Sequence, residues 1–218
     1  MAFLALLDAI RGDTRMTFAW LAVATFIDGT DGALARAARV KTYAATLDGA
    51  RMDDIVDYLT FVFIPAFIVY QMRMVPDGLA IAVVAAMLLS SAFGFTLQDA
   101  KTEDHFFTGF PSYWNIVVLY MIGLGTTAGL NAALLLLLAA LVFVRVGYIY
   151  PSRTPTWRAA TLALGAAWAA AMIVVVWTLP APPRALVIGS LVFPVYYIVL
   201  SLLLQGRRTK AGEARRET

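Results

Sequence analysis

The chain has 218 residues, 61% hydrophobic and 14% charged, with a mean hydropathy of +0.77. Such a composition excludes a water-soluble domain, which needs far more polar surface, and the absence of cysteine excludes a disulfide framework, a thiolate metal site and a cysteine nucleophile. The net charge of +3 does not point to nucleic acid, because the basic residues stand at the ends of apolar segments, where topology and anionic headgroups place them.

Apolar segments run over 1–10, 16–27, 55–70, 79–95, 114–126, 130–146, 159–178 and 185–204, with short connections between them. A spanning helix takes about 20 residues, so the chain holds seven or eight crossings and little else. Lipid offers no partner for unpaired backbone groups, and the segments are too long for barrel strands, which leaves helices. Pro65 and Pro194 lie inside two of them and predict kinks. The first segment rises only about 15 Å against a hydrocarbon core of about 30 Å, and it lacks the basic start of a cleaved signal peptide. Counting loops alternately, 13 of the 17 Lys and Arg residues fall on one side, which is cytoplasmic by the positive-inside rule. The expected fold is therefore an all-α integral membrane protein of about eight transmembrane helices, the first one truncated. Residues 1–205 read as a single transmembrane domain, and 206–218 as a polar cytoplasmic tail expected to be disordered.

Six of the 14 acidic residues fall between Asp28 and Asp57. Asp28 and Asp31 are spaced i, i+3 at the inner end of one helix, and Asp53 and Asp57 are spaced i, i+4 at the start of the next, so each pair shares a helix face. Antiparallel neighbours joined by a short loop bring these four carboxylates together, and a divalent cation relieves their repulsion. Oxygen-only ligands favour Mg2+ or Mn2+ over zinc. Gly29, Gly32, Ala33, Ala35 and Gly49 leave room for a bulky ligand, and Arg36 offers a fork for phosphate. Metal, phosphate and a close-packed ligand together point to diphosphate chemistry. The alternative of a calcium loop fails on spacing and on the missing terminal Glu. Asp48 and Asp54 read as loop and supporting charges.

The pattern Asp28-x2-Asp31-Gly32-x2-Ala35-Arg36-x12-Gly49-x3-Asp53-x3-Asp57 resembles the signature of the CDP-alcohol phosphotransferase family. The spacer of twelve residues in place of the usual eight is similar to that of the bacterial phosphatidylcholine synthase branch. So are the stretches LLDAIRGD (6–13), DGARMDDIVDYL (48–59), TEDHFFTGFPSYWN (102–115) and YPSRTP (150–155). The resemblance implies transfer of a phosphatidyl group from CDP-diacylglycerol to choline with release of CMP, in a multi-pass protein of the bacterial inner membrane with its active site facing the cytoplasm. It implies that Asp28, Asp31, Asp53 and Asp57 hold Mn2+ or Mg2+, and that Asp57 is the catalytic base. It assigns Asp28, Asp31, Gly32, Ala35, Arg36 and Gly49 to CDP-diacylglycerol, and it implies a homodimer. The family's first spanning helix starts well before the residue that is Met1 here, so the chain reads as shortened at its N-terminus.

Choline carries a fixed cation that donates no hydrogen bond from nitrogen, so its site calls for aromatic faces and a carboxylate. Glu103, Asp104, Tyr113 and Trp114 are the choline-binding candidates, weighed against simple interfacial anchoring of the aromatic residues. Arg145, Arg153 and Arg158 suit either a lipid phosphate or topology, Asn115 either a helix cap or a substrate contact, and His105 a loop. The alternative is the same chemistry with another alcohol (serine, glycerol phosphate or an inositol compound); an anionic acceptor would need dedicated basic residues, whereas this stretch is acidic and aromatic, which favours a cationic alcohol. A cation transporter would place its acids near the midplane with repeat symmetry.

Overall fold

The computed structural model describes residues 1–97, 106–144, 146–149 and 157–214, and over them the chain is an all-α membrane protein with one two-stranded ribbon. Three helices, Asp77–Thr96, Arg158–Trp177 and Arg184–Gly206, are long and apolar enough to cross a membrane, and Trp114–Leu124 and Ala128–Leu141 are shorter apolar helices.

Helix α1 (Ala2–Ile10) turns at Gly12 and folds back along α2 (Thr14–Ala37), where Asp13 caps the first turn by accepting from the Met16 amide at 2.9 Å. Ala5 and Ala9, one turn apart, are the buried residues of α1. Small side chains at that spacing let two backbones approach closely, which matters because lipid supplies no hydrophobic drive between helices. After a one-turn helix α3 (Val40–Tyr43), α4 (Gly49–Asp57) runs without a break through a π-helical turn, Tyr58–Phe63, into α5 (Ile64–Gln71). That turn has a cause in the sequence. Pro65 has no N–H for the Phe61 carbonyl and its ring would collide with it in an α-helix, and the wider turn, in which the Ile64 amide donates to Leu59 O, moves that carbonyl aside.

Helices α6 (Ala80–Thr96), α7 (Trp114–Leu124), α8 (Ala128–Leu141), α9 (Arg158–Trp177), α10 (Arg184–Ser190) and α11 (Val192–Ala214) follow. The second expected kink is the break between α10 and α11, one turn before Pro194, where the ring would meet the Ser190 carbonyl. One expectation is corrected here: α11 runs on through the polar tail as far as Ala214, so the tail is helical over that stretch rather than disordered. Strands β1 (Phe106–Thr108) and β2 (Gly147–Ile149) pair antiparallel, a feature too short to leave a period in the sequence. The ribbon is tied down by Gly109, whose φ of +82° and whose missing Cβ let the backbone pass against the Val142 carbonyl, and by Gln205 Oε1, which accepts from the Gly147 amide at 2.6 Å.

Hydrogen bonds pin the two ends of the bundle separately. At one end Arg15 donates twice to Leu179 O, at 2.9 and 3.1 Å, and Asn131 Nδ2 donates to Met74 O at 2.8 Å. At the other end lie the ribbon, the C-terminal part of α2 and the start of α4. The core between them is packed by Leu21, Ile64, Val69, Met87, Trp114, Val118, Leu135 and Val175, all almost fully buried.

Candidate active site

Asp28 sits on α2 well before its C-terminus, and Asp53 and Asp57 sit one turn apart on α4. Each offers a carboxylate oxygen within 4.8 Å of the others, and all three are half-buried. The local fold explains the meeting. Asp48 ends the spacer by accepting from the Arg51 amide at 3.2 Å, and its second oxygen lies 3.4 Å from Arg51 Nε, so α4 starts at a fixed point and carries Asp53, and one turn later Asp57, to α2. Asp48 is thus the loop charge that the sequence suggested, acting as a cap.

Oxygens bound to one Mg2+-sized ion at about 2.1 Å lie no more than about 4.2 Å apart, so the triad closes onto such an ion by small side-chain rotations. The donor set is all carboxylate, which fits a hard divalent cation and fits zinc poorly. Asp31 stands on the next turn of α2, exposed and outside the three-residue cluster. Arg36 reaches back over Gly32, where a Cβ would lie 3.4 Å from the guanidinium Nη1. A Cβ on Gly49 would meet nothing within 4 Å, and Ala35 is exposed. Beside the acids both helices present bare apolar flanks: Phe26 is 73% exposed and Ile55 63%, with Leu34, Val56 and Leu59 also open.

The aromatic candidates divide. Trp114 is fully buried, its indole N–H donating to Ser91 Oγ at 2.7 Å and its ring edge-on to Phe110 at 5.0 Å. This corrects its assignment to choline: no face of that ring is open to a cation, and it does not anchor at the interface either, because α6 and the 110–113 turn enclose it. Tyr113 is half-buried against Phe61, with ring centroids 6.2 Å apart. Glu103 and Asp104 lie outside the described residues, as do His105, Arg145 and Arg153. Asn115 is buried and bonds to Thr25 on α2. A contact between helices 90 residues apart leaves no local signal, so the sequence could not separate its roles.

No protein-family model matches the chain. It is 46% identical over 136 residues to the phosphatidylcholine synthases of Legionella bozemanae and of Legionella pneumophila, covering 62% of this chain and 63% and 53% of theirs. The chain thus spans less than two thirds of the length of these relatives. To the phosphatidylcholine synthase of Pseudomonas aeruginosa it is 36% identical over 168 residues, 77% of this chain and 71% of that one. The chain belongs to the phosphatidylcholine synthase family. Membership gives the acidic cluster a chemical setting: a family whose name denotes a phospholipid product is here represented by a membrane chain whose half-buried carboxylates sit between apolar flanks.

Proposed function

We propose that the chain transfers the phosphatidyl group of CDP-diacylglycerol to choline, giving phosphatidylcholine and CMP. The observation that carries the reading is the Asp28, Asp53 and Asp57 cluster, an oxygen-only set on two neighbouring helices. Arg36 and the open backbone at Gly49 support a diphosphate beside it, and the exposed apolar flanks support a donor whose acyl chains stay in lipid. In this reading eight helical rods cross or enter a bacterial inner membrane, counting the α4–α5 and α10–α11 pairs as one rod each and α1 as a half-length one. The acidic end faces the cytoplasm, residues 1–205 form the catalytic domain, and the assembly is a homodimer.

Asp28, Asp53 and Asp57, with Asp31 on the adjoining turn, would hold Mn2+ or Mg2+. Such a cation would supply charge stabilisation for the diphosphate and for the departing CMP. Arg36 pairs with phosphate oxygens while Gly32, Ala35 and Gly49 leave space for the cytidine diphosphate. Asp57 takes the hydroxyl proton of choline as that oxygen bonds to the phosphorus bearing diacylglycerol, and the bond from that phosphorus to the CMP oxygen breaks in line. The proton on Asp57 then passes to water.

The test is purified protein with CDP-diacylglycerol, Mn2+ or Mg2+, and labelled choline, serine, glycerol phosphate or inositol. CMP and labelled phosphatidylcholine are expected with choline alone, EDTA is expected to stop the reaction, and Mn2+ or Mg2+, but little zinc, to restore it. Full turnover in chelator overturns the metal reading, and preference for another alcohol overturns the acceptor.

A further inference from the structure

Two contacts set the start of α7 across the helices that carry the triad. Asn115 Nδ2 donates to Thr25 Oγ1 at 3.4 Å, and Thr25 precedes Asp28 by three residues on one face of α2. The Tyr113 ring meets Phe61 at 6.2 Å and 61°, and Phe61 follows Asp57 by four residues. Each contact therefore lies one helical turn deeper in the bundle than a carboxylate of the triad. The four residues differ in exposure: Asn115 and Phe61 are 7% and 6% exposed, Tyr113 is half-buried, and Thr25 is open.

We infer that Thr25 and Tyr113 wall the acceptor subsite directly beneath the triad, with Asn115 and Phe61 as positioning residues behind them, and that its ligand is a small alcohol bearing a quaternary ammonium. This rests on the proposed transfer reaction and says where the second substrate sits. The Thr25 hydroxyl already donates to Leu21 O at 2.9 Å and accepts from Asn115, so its methyl group is what remains for a ligand. Tyr113 adds an aromatic face, and none of the four residues carries a charge. A wall of methyl and ring suits a trimethylammonium, which cannot donate hydrogen bonds, and offers nothing to a phosphate or carboxylate. An alcohol seated there extends its hydroxyl upward to Asp57, while the donor approaches from the lipid flank.

The experiment measures choline and CDP-diacylglycerol KM values, with tetramethylammonium as a competitor that carries the cation without the hydroxyl. Tyr113→Leu is expected to raise the choline KM and weaken tetramethylammonium inhibition by about 2- to 30-fold, the span of a cation–π contact. The donor KM stays within about twofold. Asn115→Ala is expected to raise the choline KM with the donor KM unchanged, a split that general loss of folding does not produce. Tyr113→Trp leaves no cavity and enlarges the ring face, so tighter tetramethylammonium inhibition is expected even where Tyr113→Leu fails to fold. Unchanged choline and tetramethylammonium constants in Tyr113→Trp and Asn115→Ala overturn the subsite while the transfer reaction stands. A wild-type protein that releases no CMP with choline overturns both.

Discussion

Asp53 and Asp57 share a face of α4, yet substitution is expected to separate them. Asparagine at 57 keeps the size of the side chain and one oxygen for a cation but accepts no proton, so Asp57→Asn should lower turnover by at least about a hundredfold even at saturating Mn2+, with CDP-diacylglycerol binding retained in an equilibrium assay. Asp28→Asn and Asp53→Asn should instead raise the Mn2+ requirement and the donor KM together; near-normal turnover in Asp57→Asn would place the base elsewhere. Trp114→Phe removes the bond to Ser91 Oγ inside the core and should lower the thermal midpoint in detergent by an amount equivalent to about 0.5–2 kcal/mol, leaving the choline KM alone. The acids were legible from sequence because charged residues are costly in so apolar a chain and their spacings mark one helix face. Trp114 was not, since a Trp near a segment end looks the same whether it turns toward headgroups or into the bundle. Lipid and core are equally apolar, and hydropathy cannot tell them apart.

At the level of elements, the placement of the site depends on where α4 begins and on how it joins α5. Asp48→Ala removes the cap, which is expected to cost about 1 kcal/mol and to show as a lower thermal midpoint together with weaker Mn2+ activation, because the start of α4 frays. Pro65→Ala allows an α-helical turn in place of the π turn. One residue of register is about 100° of rotation, so the triad would turn relative to the buried face of α5. Loss of Mn2+ activation in a protein that still folds is the expected result, and unchanged activation would show that the π turn has no part in aiming the acids. Proline announced an interruption at 65 and at 194 but not its form, since a π turn and a full break satisfy the same missing N–H. The ribbon was invisible for another reason: two three-residue strands 41 positions apart hold no repeat for a pattern to reveal.

Across the whole molecule, separate sets of hydrogen bonds hold the two ends, and the proposed orientation assigns them to opposite compartments. The native chain has no cysteine, so single substitutions report sidedness cleanly. In intact cells an impermeant maleimide is expected to label Ala181→Cys, in the loop after α9, and to reach Ala44→Cys, in the spacer before α4, only after lysis. The opposite pattern would invert the topology. The apolar flanks around Phe26 and Ile55 carry a further consequence. A donor that meets the carboxylates without leaving the bilayer arrives by two-dimensional diffusion, so its effective concentration is its surface mole fraction. Diluting CDP-diacylglycerol with inert lipid or detergent at constant bulk concentration should therefore slow the proposed transfer, while adding more of the same mixed vesicles or micelles, once all the protein is bound, should leave its rate unchanged.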